Sequence, residues 1–349
     1  MTFESGTFRG LAFGALALLA SVSASIAQTQ AIRISSSRST GSSALYIALD
    51  RGYFREEGLD AQLIYFDSAQ AGQVATVAGD TEVGMGGLSG TFYNLAARNA
   101  LKMIAGGSRE MPGFTFSSYV VSNRAWEAGL REPKNLSGKT VGLTTVGSIF
   151  SYTLQRLADK HGFTFASMQT KPLQTFSNIA SAIRGGAIDA GTMTAPSALP
   201  LIQRGEAKLL AWMADETPFL SSGVFAAPKT LDTKRDLVIR FLRAWRRGAA
   251  DFVGAFQQPG GFEGKAEAEA LIAIIAKHTK LEPAEISVSL PFIDAAGRIP
   301  MDEIRLQVEV FKRMGMVDAA ATAELAVDTT MSQASNLTED IEAARALKR

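Results

Sequence analysis

The chain is predicted to be an α/β protein of two lobes with mostly parallel sheets and a helical C-terminal region. Three observations carry that prediction. Strand and helix patterns alternate at short spacing up to about Ala227, as in a parallel sheet covered by helices. One layout then occurs twice. A Thr40-Gly41-Ser42-Ser43 loop, a helical stretch closing at Gly52-Tyr53-Phe54, and Glu82-Val83-Gly84 are matched by Val146-Gly147-Ser148, a stretch closing at His161-Gly162-Phe163, and Asp189-Ala190-Gly191. Gly41 to Glu82 spans 41 residues and Gly147 to Asp189 spans 42, although few residues are identical between the copies. Finally, everything beyond Leu231 is helical in pattern.

The elements follow in order. Ala31 to Ser36 alternates as a short strand, with Ile32 and Ile34 on one face. The hydroxyl-rich loop to Gly41 opens a helix that buries Leu45, Ala48, Leu49 and Gly52, for which Ser42 or Ser43 is the natural N-cap. Leu59 to Phe66 is a strand, Ala69 to Ala78 a helix and Glu82 to Gly86 a strand. Gly86 to Thr91 is a small-residue loop opening the helix Phe92 to Ala100, and strands return at Lys102 to Ala105 and Thr115 to Val121.

The second unit begins near Leu136-Ser137-Gly138-Lys139-Thr140, with a strand at Val141 to Thr144. Its first helix buries Leu154, Leu157, Ala158 and His161, and Asn178 is placed as the cap of the next. Ala187 to Met193 and Ala207 to Met213 are strands, and Ser221 to Ala227 returns the chain to the first lobe. Helices follow at Arg235 to Phe256, Lys265 to His278, Pro283 to Ser289 and Met301 to Met314, before an Ala-rich tail that either wraps the first lobe or stays loose.

Residues 1–27 read as an export signal: Arg9, an apolar run from Leu11 to Ala20, and Ser25-Ile26-Ala27 as cleavage site, so that the mature chain starts near Gln28. The apolar run falls short of the about 20 residues that span a bilayer. The chain has no cysteine, which excludes disulfides, thiol nucleophiles, thiolate metal sites and a lipid-modified cysteine at the cleavage point. An exported chain of that kind fits a Gram-negative periplasm. The net charge is +1, and removing Arg9 and Glu4 with the leader leaves it so, which offers no footprint for nucleic acid or an anionic membrane. The remaining length suits two lobes, assigned as 28–115 with 222–349 and as 116–221. The protein is taken as a monomer without a cofactor.

Two facing α/β units are where small molecules bind. Four loops leave a strand and open a helix: Ser36 to Ser43, Gly87 to Thr91, Thr144 to Ser148 and Thr194 to Ser197. Helix N-termini present unpaired N–H groups and partial positive charge, so they favour an anion. Taken singly, each loop reads as ordinary capping; four converging on one cleft read as a binding site. The residues singled out are Thr40, Gly41, Ser42, Gly87, Ser89, Thr145, Gly147, Ser148, Thr194 and Pro196. Arg38 and Arg109 are added as bidentate partners for an oxyanion. Phe114, Phe116, Tyr119 and Phe150 suit either a cleft wall or core. His161 and His278 are read as structural, with no triad pattern and no metal-ligand spacing around them.

Several segments also resemble one family. Ala44-Leu45-Tyr46-Ile47-Ala48 with Gly52-Tyr53-Phe54 and Glu57-Gly58-Leu59-Asp60 resembles the opening of periplasmic solute-binding proteins of the nitrate/sulfonate/taurine type, which include thiamine-precursor binders. Gly79-Asp80-Thr81-Glu82-Val83-Gly84, Leu136 to Gly142 and Gly185 to Ala190 resemble its later signatures, in order, over roughly Ile32 to Pro228. The resemblance implies a two-lobed type II (Venus-flytrap) periplasmic binding protein, with a ligand in the cleft and delivery to an inner-membrane ABC permease. Two function classes stand at this point. One is a binding protein for a small organic or inorganic anion, with a neutral pyrimidine or aromatic ligand also compatible. The other is an exported lyase or hydrolase on the same fold, which would need an acid/base pair in the cleft.

Overall fold

The computed structural model describes Met1, Thr2 and residues 29–347. The export-signal features at Arg9, Leu11–Ala20 and Ser25–Ala27 lie outside the described residues. The chain first lays down β1 (Gln30–Ser36), β2 (Leu59–Tyr65), β3 (Val83–Gly87) and β4 (Lys102–Gly106). It crosses over as β5 (Ser108–Glu110) to form β6 (Ser117–Ser122), β7 (Thr140–Leu143), β8 (Gln169–Pro172), β9 (Ala190–Thr194) and β10 (Ala207–Trp212). It returns as β11 (Phe219–Leu220) and β12 (Ser222–Ala226), and β13 (Phe292–Ile293) is added later.

Two five-stranded sheets result, ordered β2-β1-β3-β12-β4 and β10-β6-β9-β7-β8. In the first, β1 runs parallel to β2 and β3, while β12 is antiparallel to both β3 and β4. In the second, β7 runs parallel to β8 and β9, while β6 is antiparallel to β9 and β10. Each sheet therefore has four strands in one direction and one reversed. The reversed strand is in each case the one that follows a crossing, so the repeated layout of the sequence is a repeated sheet. The crossings themselves, β5 and β11, pair antiparallel with each other, and β13 pairs with β5.

The apolar pattern explains the layers. In β1, Ile32 and Ile34 are fully buried while Ala31 and Arg33 are exposed. The helix Ser43–Asp50 packs on the 22-residue helix Arg235–Phe256, whose Phe241, Trp245 and Phe252 are buried in the same core. The two helices approach closely at Gly248, where a side chain would run into the backbone of Ala44 and Ala48.

The C-terminal region ties the lobes together. Gln307, on the helix Met301–Arg313, accepts from the Tyr93 hydroxyl at 2.8 Å and donates to the Leu220 carbonyl of β11 at 2.8 Å. One turn earlier, Glu303 accepts from the Tyr152 hydroxyl at 2.8 Å, and Tyr152 lies on the second-lobe helix Ile149–His161. The Ala-rich tail is packed: in the helix Leu337–Leu347, Ala344 joins Met111, Phe114 and Phe292 in a small apolar cluster.

Local details correct the sequence reading. Ser42 holds the N-cap position of the helix Ser43–Asp50, as expected, but its side chain makes no capping bond. Ser39 accepts from the Gly41 amide and caps a short 3-10 turn, Thr40–Ser42, that runs into the helix. Thr175 caps the helix Phe176–Arg184 by accepting from the Asn178 amide, because its extended backbone puts the hydroxyl in reach of the third helical N–H. No helix of the described residues is long and apolar enough to cross a membrane.

Candidate functional site

The C-terminal ends of the parallel strands of both sheets open onto one cavity of about 350 Å³, where open α/β sheets bind ligands. From the first lobe come Arg38 to Ser42 after β1 (Thr40 excepted), Tyr65 to Gln70 after β2, and Gly86, Gly87 and Ser89 at β3. The crossings supply Ser108, Phe219, Ser221 and Ser222. The second lobe adds Phe116 and Ser117, Thr144, Ser148 to Phe150, Phe176 and Thr194.

Seven of the residues singled out from the sequence are thereby brought together: Arg38, Gly41, Ser42, Gly87, Ser89, Ser148 and Thr194. A Cβ at Gly41 would lie 3.1 Å from the Phe116 ring and the Ser108 hydroxyl, a tight fit that those side chains would have to shift by a few tenths of an ångström to admit. Thr40 turns the other way, and its buried hydroxyl donates to the Ser289 carbonyl at 2.8 Å. Thr145 and Gly147 adjoin the lining residues Thr144 and Ser148 in the chain, and Pro196 lies two residues past Thr194, but none of the three lines the cavity.

Arg109 is the main correction. It follows Ser108 on β5, and strand alternation points it away from the cavity into a sealed interior. There its guanidinium lies 2.9 Å from the Asp340 carboxylate and donates to the Arg298 carbonyl at 2.6 Å. With no exposed surface, it has no route to a solute.

Among the hydroxyls, two behave differently. Ser89 is committed: it donates to Gln73 Oε1 at 2.9 Å and accepts from the Phe92 amide at 3.1 Å, capping the helix Gly90–Ala97. Ser148 is at the equivalent N-cap of the helix Ile149–His161, but its side chain makes no capping bond. The Ser148 hydroxyl is buried and has no hydrogen-bond partner in the protein. A helix start with open N–H groups and a free hydroxyl in the same wall is a ready acceptor of anionic oxygen.

The charges on the lining are one cation and one anion, Arg38 and Asp67. Arg38 donates to the His278 carbonyl at 2.8 Å, and its guanidinium sits 4.0 Å from the centre of the Tyr65 ring. Neither histidine lines the cavity. His161 pairs with Glu216 at 2.9 Å, and His278 stacks on Tyr46 and bonds both Tyr65 and Asp50. Among the described residues there is no cluster of three or more His, Asp or Glu fit to hold a metal ion.

Of the four aromatics weighed for the wall, Phe116 and Phe150 line the cavity. Phe114 packs edge-on against Phe292, and Tyr119 is core. The segment Tyr65 to Gln70 was missed, although Ser68 before an apolar-periodic run is an N-cap signal; Ser68 does accept from the Ala71 amide. The hydroxyl cluster of Ser108, Ser221 and Ser222, with oxygens 2.7 and 2.9 Å apart, was missed too. Nothing in sequence relates residues that lie 113 positions apart.

The lobes touch beside the cavity. The Gly90 amide of the first lobe donates to the Gly147 carbonyl of the second at 2.9 Å. Near the crossings, Glu110 is fully buried on β5, and burial pushes its carboxyl up to about 8. Glu303 is likewise pushed up to about 7 by burial.

The fold is shared with several solved proteins. The alkanesulfonate-binding protein SsuA from Xanthomonas axonopodis pv. citri, bound to MOPS, superposes with a TM-score of 0.68 at 18% identity, over 85% of this chain and 98% of that one. The periplasmic nitrate-binding protein NrtA from Synechocystis PCC 6803 gives 0.68 at 11% identity, over 92% and 90%. The desulfurization enzyme DSZB gives 0.60 at 12% identity, over 92% and 100%. No curated protein sequence matches. The two-lobed architecture expected from the sequence is thus that of periplasmic binding proteins. Residues 39–259, more than half of the sequence, match the family model described as NMT1/THI5 like, and the chain belongs to that family.

Proposed function

We propose that this protein is the periplasmic solute-binding component of an ABC importer, exported by residues 1–27, and that it captures a small organic anion between its lobes. The observation that carries the reading is Ser148. Its hydroxyl is buried, unpaired and in the cavity wall, at the N-terminus of a 13-residue helix. Leaving a hydroxyl so placed is costly unless a ligand oxygen completes it. Arg38 supplies a cation at the opposite lobe. Similarity to sulfonate- and nitrate-binding proteins supports the same chemistry.

The trap works through the crossings. Lobe 1 (28–115 and 222–349) and lobe 2 (116–221) are joined by β5 and β11, short strands on which a hinge rotation can act. A ligand held by Ser148 on one lobe and the loops after β1 and β2 on the other favours the closed state by its differential affinity. The Gly90–Gly147 hydrogen bond joins the lobes beside the cavity, and on this reading opening would break it. The permease would then receive the closed form.

The same fold also serves the desulfurization enzyme, so the test must read chemistry as well as binding. Thermal unfolding is followed against alkyl and aryl sulfonates, taurine, nitrate, carboxylates, pyrimidines and amino acids. A true ligand at a hundred times its dissociation constant adds about 2.7 kcal/mol. The expected result is an organic anion that raises the midpoint by several degrees and is recovered unchanged. A hit recovered as a different compound would make the protein an enzyme.

A further inference from the structure

Resting on the anion-binding reading of this cavity, we infer that its ligand carries a planar aromatic ring, as an aryl sulfonate or aryl carboxylate. The walls hold five phenylalanines drawn from every part of the fold. Phe66 comes from the first lobe, Phe116 and Phe219 from beside the crossings, and Phe150 and Phe176 from the second lobe. Phe150 and Phe176 meet edge to face, with centroids 5.8 Å apart and planes at 75°. Ile149 and the Tyr65 ring extend the same lining.

Such a lining discriminates among anions. A bare oxyanion or taurine would engage the hydroxyls and the helix start but leave the phenylalanine surfaces uncovered, so the apolar walls would contribute nothing to its affinity. An alkyl chain would cover them, yet it loses rotamer freedom on binding. A flat ring loses none, and it gains the offset and edge-on contacts that aromatic pairs make beyond simple area burial. Because rings line the cavity from both lobes, a flat ligand also touches both when the lobes close. The cavity of about 350 Å³ is at the small end of the range for organic ligands, which suits one or two fused rings and an acid group. Ser148 and the N–H groups behind it take the acid oxygens, and the rings take the body.

The test compares matched pairs by calorimetric titration of the mature protein. Benzenesulfonate, 2-naphthalenesulfonate and benzoate are set against hexanesulfonate, cyclohexanecarboxylate, taurine and nitrate. The best aryl anion is expected to bind about tenfold or more tighter than its saturated counterpart. In Phe176→Leu, which keeps an apolar side chain at a half-buried position, that ratio should narrow. A saturated anion, taurine or nitrate binding as tightly as the aryl anions would overturn the aromatic inference while leaving anion binding intact. So would an unchanged ratio in folded Phe176→Leu. Binding of none of these anions would instead strike the anion-site reading itself, and this inference with it.

Discussion

The guanidinium of Arg109 lies 2.9 Å from the carboxylate of Asp340, and neither group reaches solvent. The pair fastens the C-terminal helix Leu337–Leu347 to the crossing strand β5. Removing one member of a buried pair strands the other charge, at a cost of about 3–5 kcal/mol. Arg109→Ala and Asp340→Ala are therefore both expected to lower the thermal midpoint by several degrees. At temperatures where each variant remains folded, ligand affinity should stay within about twofold, since Arg109 does not line the cavity. Paired unfolding and titration experiments check this. A large affinity loss at an unchanged midpoint would return Arg109 to the site.

Buried carboxyls set the pH dependence of stability. Burial raises Glu110 to about 8, Glu303 to about 7 and Asp340 to about 6. Between its ordinary and its raised value, each such group stays protonated in the folded chain while its unfolded counterpart ionises. Above the raised value it is charged in both, as Asp340 is when paired with Arg109 at neutral pH. Each group's stability contribution is present below the ordinary carboxylate range and is lost as pH rises through the folded value. The midpoint should therefore fall between about pH 5 and pH 8. Glu110→Gln, neutral throughout, should flatten the upper part of that fall. Asp50, Glu82 and Glu216 act in the opposite sense at low pH: cationic partners lower them against the pull of burial, so their stabilisation is lost in acid. Thermal scans from pH 3 to 9 should show a maximum at mildly acidic pH. A midpoint rising steadily from pH 5 to pH 8 would contradict the assignment.

The helix Met301–Arg313 works as a strap. Through Gln307 it holds Tyr93 of the first lobe and β11, and through Glu303 it holds Tyr152 of the second. Tyr152→Phe deletes one link and costs about 1–2 kcal/mol by leaving Glu303 short of a donor. The ligand-free variant is expected to spend more time open, with a larger radius of gyration by small-angle X-ray scattering, and ligand should restore the compact value. Identical scattering for variant and parent would show that the strap does not govern closure.

Much of this fold was legible because its elements are local. The alternation of Ile32 and Ile34, the periodicity of the long helix from Arg235 and the doubled loop-helix-strand layout each depend on residues close in sequence. Seven of the twelve site residues singled out line the cavity for the same reason, being loop residues at strand ends. The failures are non-local. Arg109 was misplaced because its partner Asp340 is more than two hundred positions away, in a tail with weak periodicity. Ser89 and Ser148 look alike in sequence as hydroxyls at helix starts, yet Ser89 is engaged by Gln73 and the Phe92 amide while Ser148 makes no capping bond. Ser108 and Phe219 belong to short strands that carry no pattern of their own, and Ser221 and Ser222 meet Ser108 only across the crossing.

The most direct test is ligand titration of Ser148→Asp. A carboxylate at the N-terminus of the helix Ile149–His161 suits the helix dipole, so the fold should be kept or slightly stabilised. The same carboxylate would occupy the place argued for the ligand's acid group and repel it. The expected result is loss of anion binding by about a hundredfold or more at an equal or higher thermal midpoint. If Ser148→Asp binds the same anion within about threefold of the parent, the anion does not sit at this helix, and the central claim is wrong.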